Sequence, residues 1–171
     1  MNDQGQQTSS RSKIVTTPSS IVDPAEPVQV YVSGALTGVS DLAELKCFYE
    51  AIAEACREQG LKPYVPHLHT EPGTDHSPQQ VFWTDKTTVL ESGLVLAYMG
   101  HPSFGVGMEV AYAEEYGIPV IFLYREGTVV SRMPRGIPSL FREIIYVSQD
   151  DALAQLHDAL VAFLTEHIIP L

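Results

Sequence analysis

Gly93-Leu-Val-Leu-Ala-Tyr98-Met-Gly-His-Pro-Ser-Phe-Gly-Val-Gly-Met-Glu109 decides the fold. The unbroken apolar run from Leu94 to Tyr98 reads as a strand covered on both faces. It empties into a short loop, and from Gly105 to Tyr116 the pattern is helical, ended by Gly117. A strand that gives way to a glycine-bearing loop and then a helix gathers backbone N–H groups and the positive end of a helix dipole at one point, which favours anions there. On this reading Glu109 falls in the first turn. A carboxylate so placed is held ionised at neutral pH, the form that serves as a nucleophile or as a partner for developing positive charge.

The same alternation extends in both directions. Val28-Gln-Val-Tyr-Val32 is a short β-branched strand ending at Ser33-Gly34-Ala35-Leu36-Thr37-Gly38. Ser40 or Asp41 caps a helix whose apolar positions include Leu42, Leu45 and Ile52, stopped by Gly60. Lys62–Val65 is a second strand, residues 66–77 a loop with His67, His69 and His76, and Ser77-Pro78 opens a helix that carries Asp85 to about Glu91. After the strand at 93–98 and the Glu109 helix comes Ile118–Tyr124, apolar enough for the middle of a sheet. A strand at Ile144–Val147 and a last helix with Leu153, Leu156, Leu160 and Phe163 on one stripe complete the domain. Alternating strands and helices predict a single-domain α/β three-layer sandwich with a five-stranded parallel sheet, flavodoxin-like or Rossmann-like. Ligands of such sheets bind beyond the carboxyl ends of the strands, where loops 33–38, 66–77, 99–105 and 125–135 converge.

Residues 1–27 are polar, without apolar periodicity, and are expected to be a disordered tail before the domain at 28–171. The formal charge of -11, with only 10 Lys and Arg, excludes a general face for polymeric nucleic acid, whose affinity comes from clustered cations. Cys47 and Cys56 lie on one predicted helix, about 13 Å apart along its axis, too far for a disulfide. With no signal-peptide pattern and no apolar run approaching a membrane span, the expectation is a reduced cytoplasmic protein with no membrane contact.

An ordered set of residues carries a resemblance. Tyr31 with the turn to Gly38, Asp85, the segment Pro102-Ser-Phe-Gly-Val-Gly-Met-Glu109, and Val130-Ser-Arg-Met133 with Arg135-Gly136 together resemble the nucleoside 2-deoxyribosyltransferase superfamily. Within it they are most similar to the branch of 2'-deoxynucleoside 5'-phosphate N-hydrolases and CMP N-glycosidases, over residues 28–150. The resemblance implies that Glu109 attacks the anomeric carbon to form a covalent glycosyl-enzyme, that Asp85 contacts or protonates the base, and that Tyr31 orients Glu109. It implies hydrolysis of the N-glycosidic bond of a (deoxy)nucleoside 5'-monophosphate, with base exchange between deoxynucleosides and a catalytically silent nucleotide sensor as the alternatives.

By the same resemblance, substrate is held by Ser33, Gly34, Ala35, Gly38, Ser103, Gly105, Gly107 and Met108. The position six before the nucleophile is an aspartate in the nucleoside transferases and serine in the nucleotide hydrolases; here it is Ser103. A carboxylate there would repel a 5'-phosphate that a hydroxyl binds. Ser131, with Arg132 beside it, matches a serine that reaches the phosphate from a neighbouring subunit, which implies a homodimer or a dimer of dimers with shared sites. The chain departs from the pattern in two places: Ala35-Leu36-Thr37 stands where the hydrolases carry an arginine, and Gly93 where relatives carry Asp.

Each residue also has a plainer reading. Glu109 alone is a helix-start carboxylate worth about 0.3–1 kcal/mol. Asp85 reads as a solvated helix residue, Tyr31 as a packing residue, and Phe82 and Trp83, aromatics of the kind that stack on a base, as closing the core. His67 and His69, with Asp75 or His76, are imidazoles and carboxylates of the kind that bind metal, but no diagnostic ligand spacing accompanies them. They are read as polar loop residues near a nucleobase, and neither metal nor organic cofactor is expected.

Overall fold

The computed structural model describes residues 26–70 and 75–167, so nearly all of the expected tail lies outside the described residues. Five strands, β1 (Gln29–Ser33), β2 (Lys62–Tyr64), β3 (Leu94–Tyr98), β4 (Val120–Arg125) and β5 (Leu140–Tyr146), pair in parallel in the order β2-β1-β3-β4-β5. Four helices cover them: α1 (Leu42–Glu58), α2 (Pro78–Leu90), α3 (Phe104–Glu115) and α4 (Gln149–His167). The expected α/β sandwich is the observed one. The strand order sends the chain from β1 to α1 on one face and from β3 to α3 on the other, and this reversal opens a crevice at the carboxyl edge between adjacent strands.

The pleat assigns residues to the two faces. Val30 and Val32 join Leu45, Ile52, Leu156, Leu160 and Phe163 in the apolar layer under α1 and α4. Tyr31, Val95, Ala97 and Phe122 point the other way, beneath Val89 of α2 and Val106, Val110 and Ala113 of α3. Burying the larger side chains of these layers stabilises the fold by roughly 1.5–3 kcal/mol apiece.

Element ends follow local chemistry. α2 starts at a capping box, in which Ser77 Oγ accepts from the Gln80 N–H at 3.2 Å and Gln80 Oε1 accepts from the Ser77 N–H at 2.8 Å, with Pro78 in the first turn. Asp41 precedes α1 without any side-chain cap bond. β4 begins at Val120 rather than Ile118, because Pro119 has no N–H for the ladder. β5 starts at Leu140, four residues before the expected strand; as an edge strand it tolerates Arg142 and Glu143, which hide the apolar pattern, and a bulge opposite Val120 and Ile121 offsets its register.

At Gly34 and Gly93 close approach leaves no room for a side chain. A Cβ on Gly34 would lie 2.3 Å from Cζ of Tyr49, whose hydroxyl donates to the Ala35 carbonyl at 3.2 Å, so a ring of α1 clamps the β1 loop. A Cβ on Gly93 would lie 2.6 Å from Cγ1 of Val28, which accounts for the absence of the larger residue the resemblance leads one to expect there. Cys47 is exposed, Cys56 buried, and both are free. Among the described residues no helix is long and apolar enough to cross a membrane.

Candidate active site

α2 and α3 lie side by side on the sheet, and each turns an i, i+3, i+4, i+7 stripe toward the other: Pro78, Val81, Phe82 and Asp85 from one, Gly105, Met108, Glu109 and Tyr112 from the other. Between the stripes is a cavity of about 360 Å³ with His76 and Lys86 also on its wall. Apart from the two carboxyls, the histidine and the lysine, its lining is largely apolar.

Glu109 is fixed from the sheet below. Tyr31 and Ser33 are two apart on β1 and therefore point the same way. The Tyr31 hydroxyl donates to Oε1 of Glu109 at 2.9 Å, and the Ser33 hydroxyl donates to Oε2. Ser103 is the N-cap of α3, its Oγ accepting from the Val106 N–H at 3.4 Å. Glu109 thus sits in the second turn, not the first, and beyond the reach of the dipole effect. The expectation of a firmly ionised carboxylate is corrected accordingly. Burial pushes the Glu109 pKa up to about 7; the Ser33 and Tyr31 hydrogen bonds pull it down, and the Asp85 charge adds a further upward push. Burial, then the charges of Glu109 and Asp85, also raise the Tyr31 hydroxyl well above its ordinary value, so it remains a donor.

Asp85 does reach this cavity from α2, accepting from Thr70 Oγ1 at 3.2 Å. Burial raises its pKa, and the hydrogen bond from Thr70 opposes the rise. Two carboxyls whose surroundings favour the protonated form, facing one cavity, are suited to sharing proton transfer and nucleophilic attack between them.

The two loop histidines part company. A 3-10 turn at Pro66–Leu68 buries His67 against α1, with Nε2 at 2.9 Å from Oε1 of Glu50, so His67 does not line the cavity as expected. His69 is exposed and stacks on Tyr64, centroids 4.4 Å apart, and Tyr64 stacks in turn on Tyr31 at 5.6 Å. That column ends on the ring that holds Glu109. Gly105 and Met108 line the cavity, whereas Gly34, Ala35, Gly38 and Gly107 do not; the first three form the loop above β1 clamped by Tyr49. Ser131 and Arg132 are exposed, away from this chain's own cavity, and Arg135 forms a bidentate pair with Glu143 at 2.6 and 3.0 Å. Trp83 is 62% exposed and so does not close the core. Among the described residues no group of three His, Cys, Asp or Glu could hold a metal.

Sequence reading missed Ser33 as a direct partner of Glu109, and it missed Thr70, Lys86 and Tyr112. The helical stripe common to α2 and α3 was the signal available for Tyr112; nothing in the sequence marks Thr70.

No protein-family model matches the chain. A protein of Thermofilum pendens named 2'-deoxynucleoside 5'-phosphate N-hydrolase 1 is 32% identical over 142 residues, spanning 78% of this chain and 95% of that one. The 5-hydroxymethyl-dUMP N-hydrolase of Mus musculus is 27% identical over 148 residues, spanning 82% and 84%. Among solved structures, the CMP N-glycosidase of Clostridium botulinum superposes with a TM-score of 0.59 at 21% identity, covering 75% of this chain and 96% of that one. The 2-deoxyribosyltransferase of Bacillus psychrosaccharolyticus does so with 0.55 at 18%, covering 75% and 96%. These two likenesses are of fold.

Proposed function

This chain belongs to the 2'-deoxynucleoside 5'-phosphate N-hydrolase family, and from that premise we propose that it hydrolyses the N-glycosidic bond of a (deoxy)nucleoside 5'-monophosphate through a glycosyl-Glu109 intermediate. The observation that carries the reading is the Glu109 carboxyl on the cavity wall, one oxygen held by Tyr31 and the other by Ser33. Both bonds fix the carboxyl's aim before substrate arrives, which is where much of the rate of such a displacement originates.

In the first step the ionised Glu109 attacks C1' and the C1'–N bond breaks. The bonding pair leaves with the base nitrogen, and Asp85 supplies the proton that neutralises it. In the second step a water attacks C1', its proton returns to Asp85, and the C1'–O bond to Glu109 breaks, releasing sugar 5-phosphate and restoring both carboxyls. The oxocarbenium-like transition state of each step is stabilised by the adjacent carboxylate. Ser103, the free amides opening α3 and the Gly34–Gly38 backbone are proposed to hold the phosphoryl group at the rim. Lone N–H donors at a helix start favour that anion, and a serine six before Glu109 leaves room for it.

We further expect two copies to share sites, Ser131 of each reaching the other's phosphate. Supporting this, the segment around Ser131 is exposed and carries unburied apolar side chains, Val129 at 95% and Met133 at 87% exposure. The free thiols of Cys47 and Cys56 support a reducing, cytoplasmic setting.

The test is incubation of the full chain with a panel of ribo- and deoxyribonucleoside monophosphates, with and without an added free base, reading released base and sugar phosphate. Release of base and sugar phosphate that ceases in Glu109→Ala is the expected result. Incorporation of the added base into nucleoside would turn the reading to transfer, and ligand-induced thermal stabilisation without product would turn it to a silent sensor.

A further inference from the structure

Lys86 has no role in the mechanism above, yet it stands on the cavity wall beside Asp85. Its ammonium lies 4.6 Å from the Tyr112 ring centroid, 5.7 Å from that of Phe82 and 5.9 Å from that of Trp83. None of the ion pairs among the described residues involves it. In a chain with 21 acidic and 10 basic side chains, a lysine steered by three aromatic faces rather than by a carboxylate is held for something else.

The substrate's layout indicates what that is. α2 and α3 both run away from the carboxyl rim of the sheet, so Lys86 and Tyr112 lie about two turns, or ~12 Å, below the rim at which Pro78 and Phe104 begin. With the phosphoryl group at the rim and C1' against Glu109, the remaining volume, bounded by Val81, Phe82, Met108, Lys86 and Tyr112, is the base's. Its apolar and aromatic walls suit a flat heterocycle, and Lys86 is the wall's cationic donor.

Resting on the nucleotide reading of the site, we propose that Lys86 determines base specificity: its ammonium donates to an exocyclic carbonyl of an oxo-base on the edge remote from the sugar and rejects bases that carry an amino group there. An ammonium has three donors and no acceptor, so an oxo group pairs with it and an amino group cannot. Rejection arises because an amino-bearing base would strip water from the ammonium and return no hydrogen bond. Lys86 is a positioning residue for the base; the reacting bond belongs to Glu109 and Asp85.

The experiment measures kcat/KM for dUMP and dCMP with the full chain, with Lys86→Met, which keeps the aliphatic stem against the rings, and with Lys86→Arg, which keeps a donor. The wild-type chain should prefer dUMP. Lys86→Met should lower the dUMP-to-dCMP ratio about tenfold or more, as loss of one charged hydrogen bond does, mainly through KM for dUMP, while Lys86→Arg keeps the preference. A wild-type preference for dCMP, or a ratio that Lys86→Met moves by less than about fivefold, overturns the proposal and leaves the hydrolytic reading intact. If no monophosphate of the wider panel is hydrolysed, the hydrolytic reading fails instead; if only these two are not hydrolysed, that reading stands, and in either case Lys86 is judged by calorimetric titration of dUMP and dCMP against the same criterion. Melting curves of the variants separate lost recognition from lost fold.

Discussion

Val30 and Val32 of β1 point to one face of the sheet, Tyr31 and Ser33 to the other, and the two faces they reach are organised differently. Under α1 and α4 the apolar layer is continuous from Leu45 to Phe163, and its cavity of about 300 Å³, toward the rim, is lined by polar side chains together with Leu45, Phe48 and Val147. There Tyr98 and Tyr146, both buried, line the cavity wall together, with Asp41, Glu44 and Arg125 around the opening. Under α2 and α3 the layer is smaller and interrupted by an apolar cavity whose buried polar groups are carboxyls. Burial keeps those phenols protonated and inert, whereas two carboxyls whose pKa values burial raises hold protons that can move. One face of this sheet carries the stability and the other carries the chemistry, and substitutions chosen by face should therefore move different observables.

The largest effect belongs to the chemistry. Glu109→Ala should lower base release by about a thousandfold or more, as removal of a covalent nucleophile does, with the melting temperature preserved or raised. Comparable turnover in this variant would end the glycosyl-enzyme reading. Leu156→Ala, on the opposite face and fully buried, should destabilise by about 2–5 kcal/mol and leave base release per folded molecule unchanged. Should it instead alter catalysis in the folded fraction, the separation of faces does not hold.

Glu109 also links the two properties through pH. It keeps its proton to about pH 7 in the folded chain against 4.5 as its ordinary value. Between those limits the folded state binds more protons than the unfolded one. The contribution of this group to stability is therefore complete below pH 4.5 and lost as pH rises through 7, by on the order of 3 kcal/mol in all. Glu109→Gln should remove that loss, so its melting temperature relative to the unaltered chain should climb between pH 5 and pH 8. Parallel curves for the two proteins would mean the carboxylate is not destabilised by burial. Activity should follow the reverse course, kcat/KM rising through about pH 7 as the nucleophile ionises.

Legibility in the sequence divides along physical lines. The β3 run and the helices with clear stripes or glycine stops are legible because local pattern and tertiary burial agree there, and the handedness of the crossovers then narrows the fold to a flavodoxin-like or Rossmann-like class. β5 begins four residues before its apolar pattern does, because Arg142 and Glu143 on an edge strand mimic a loop. Glu109 was identified as a residue but not as a protonation state: the helix begins at Phe104, one turn above it, and the burial that governs it comes from β1, some 76 residues away in sequence. His67 and His69 look alike in sequence, and only the 3-10 turn at Pro66–Leu68 sends one against Glu50 and the other onto Tyr64. Trp83 departs from the core position that an aromatic on a helix leads one to expect, because it faces outward beside Lys86.

The subtlest contrast pairs one tyrosine from each face. Tyr31→Phe and Tyr98→Phe each delete a single hydroxyl from a buried residue and leave the ring, so packing is held constant and only the surroundings differ. Removing the Tyr98 hydroxyl, on the wall of the cavity under α1 and α4, touches no carboxyl of the active site, and should cost no more than about 1 kcal/mol of stability and leave turnover unaltered. Removing the Tyr31 hydroxyl takes a donor from Oε1 of Glu109. That donor favours the ionised form, so its loss moves the Glu109 pKa further up from about 7, carries the acidic limb of kcat/KM to higher pH, and lowers the rate at neutrality by roughly tenfold. The discriminating measurement is the pH profile, because a tyrosine that merely packed would scale the whole curve without displacing its limb. Equal profiles for the two variants would show that β1 supports Glu109 sterically and that its hydroxyls do not tune the carboxyl.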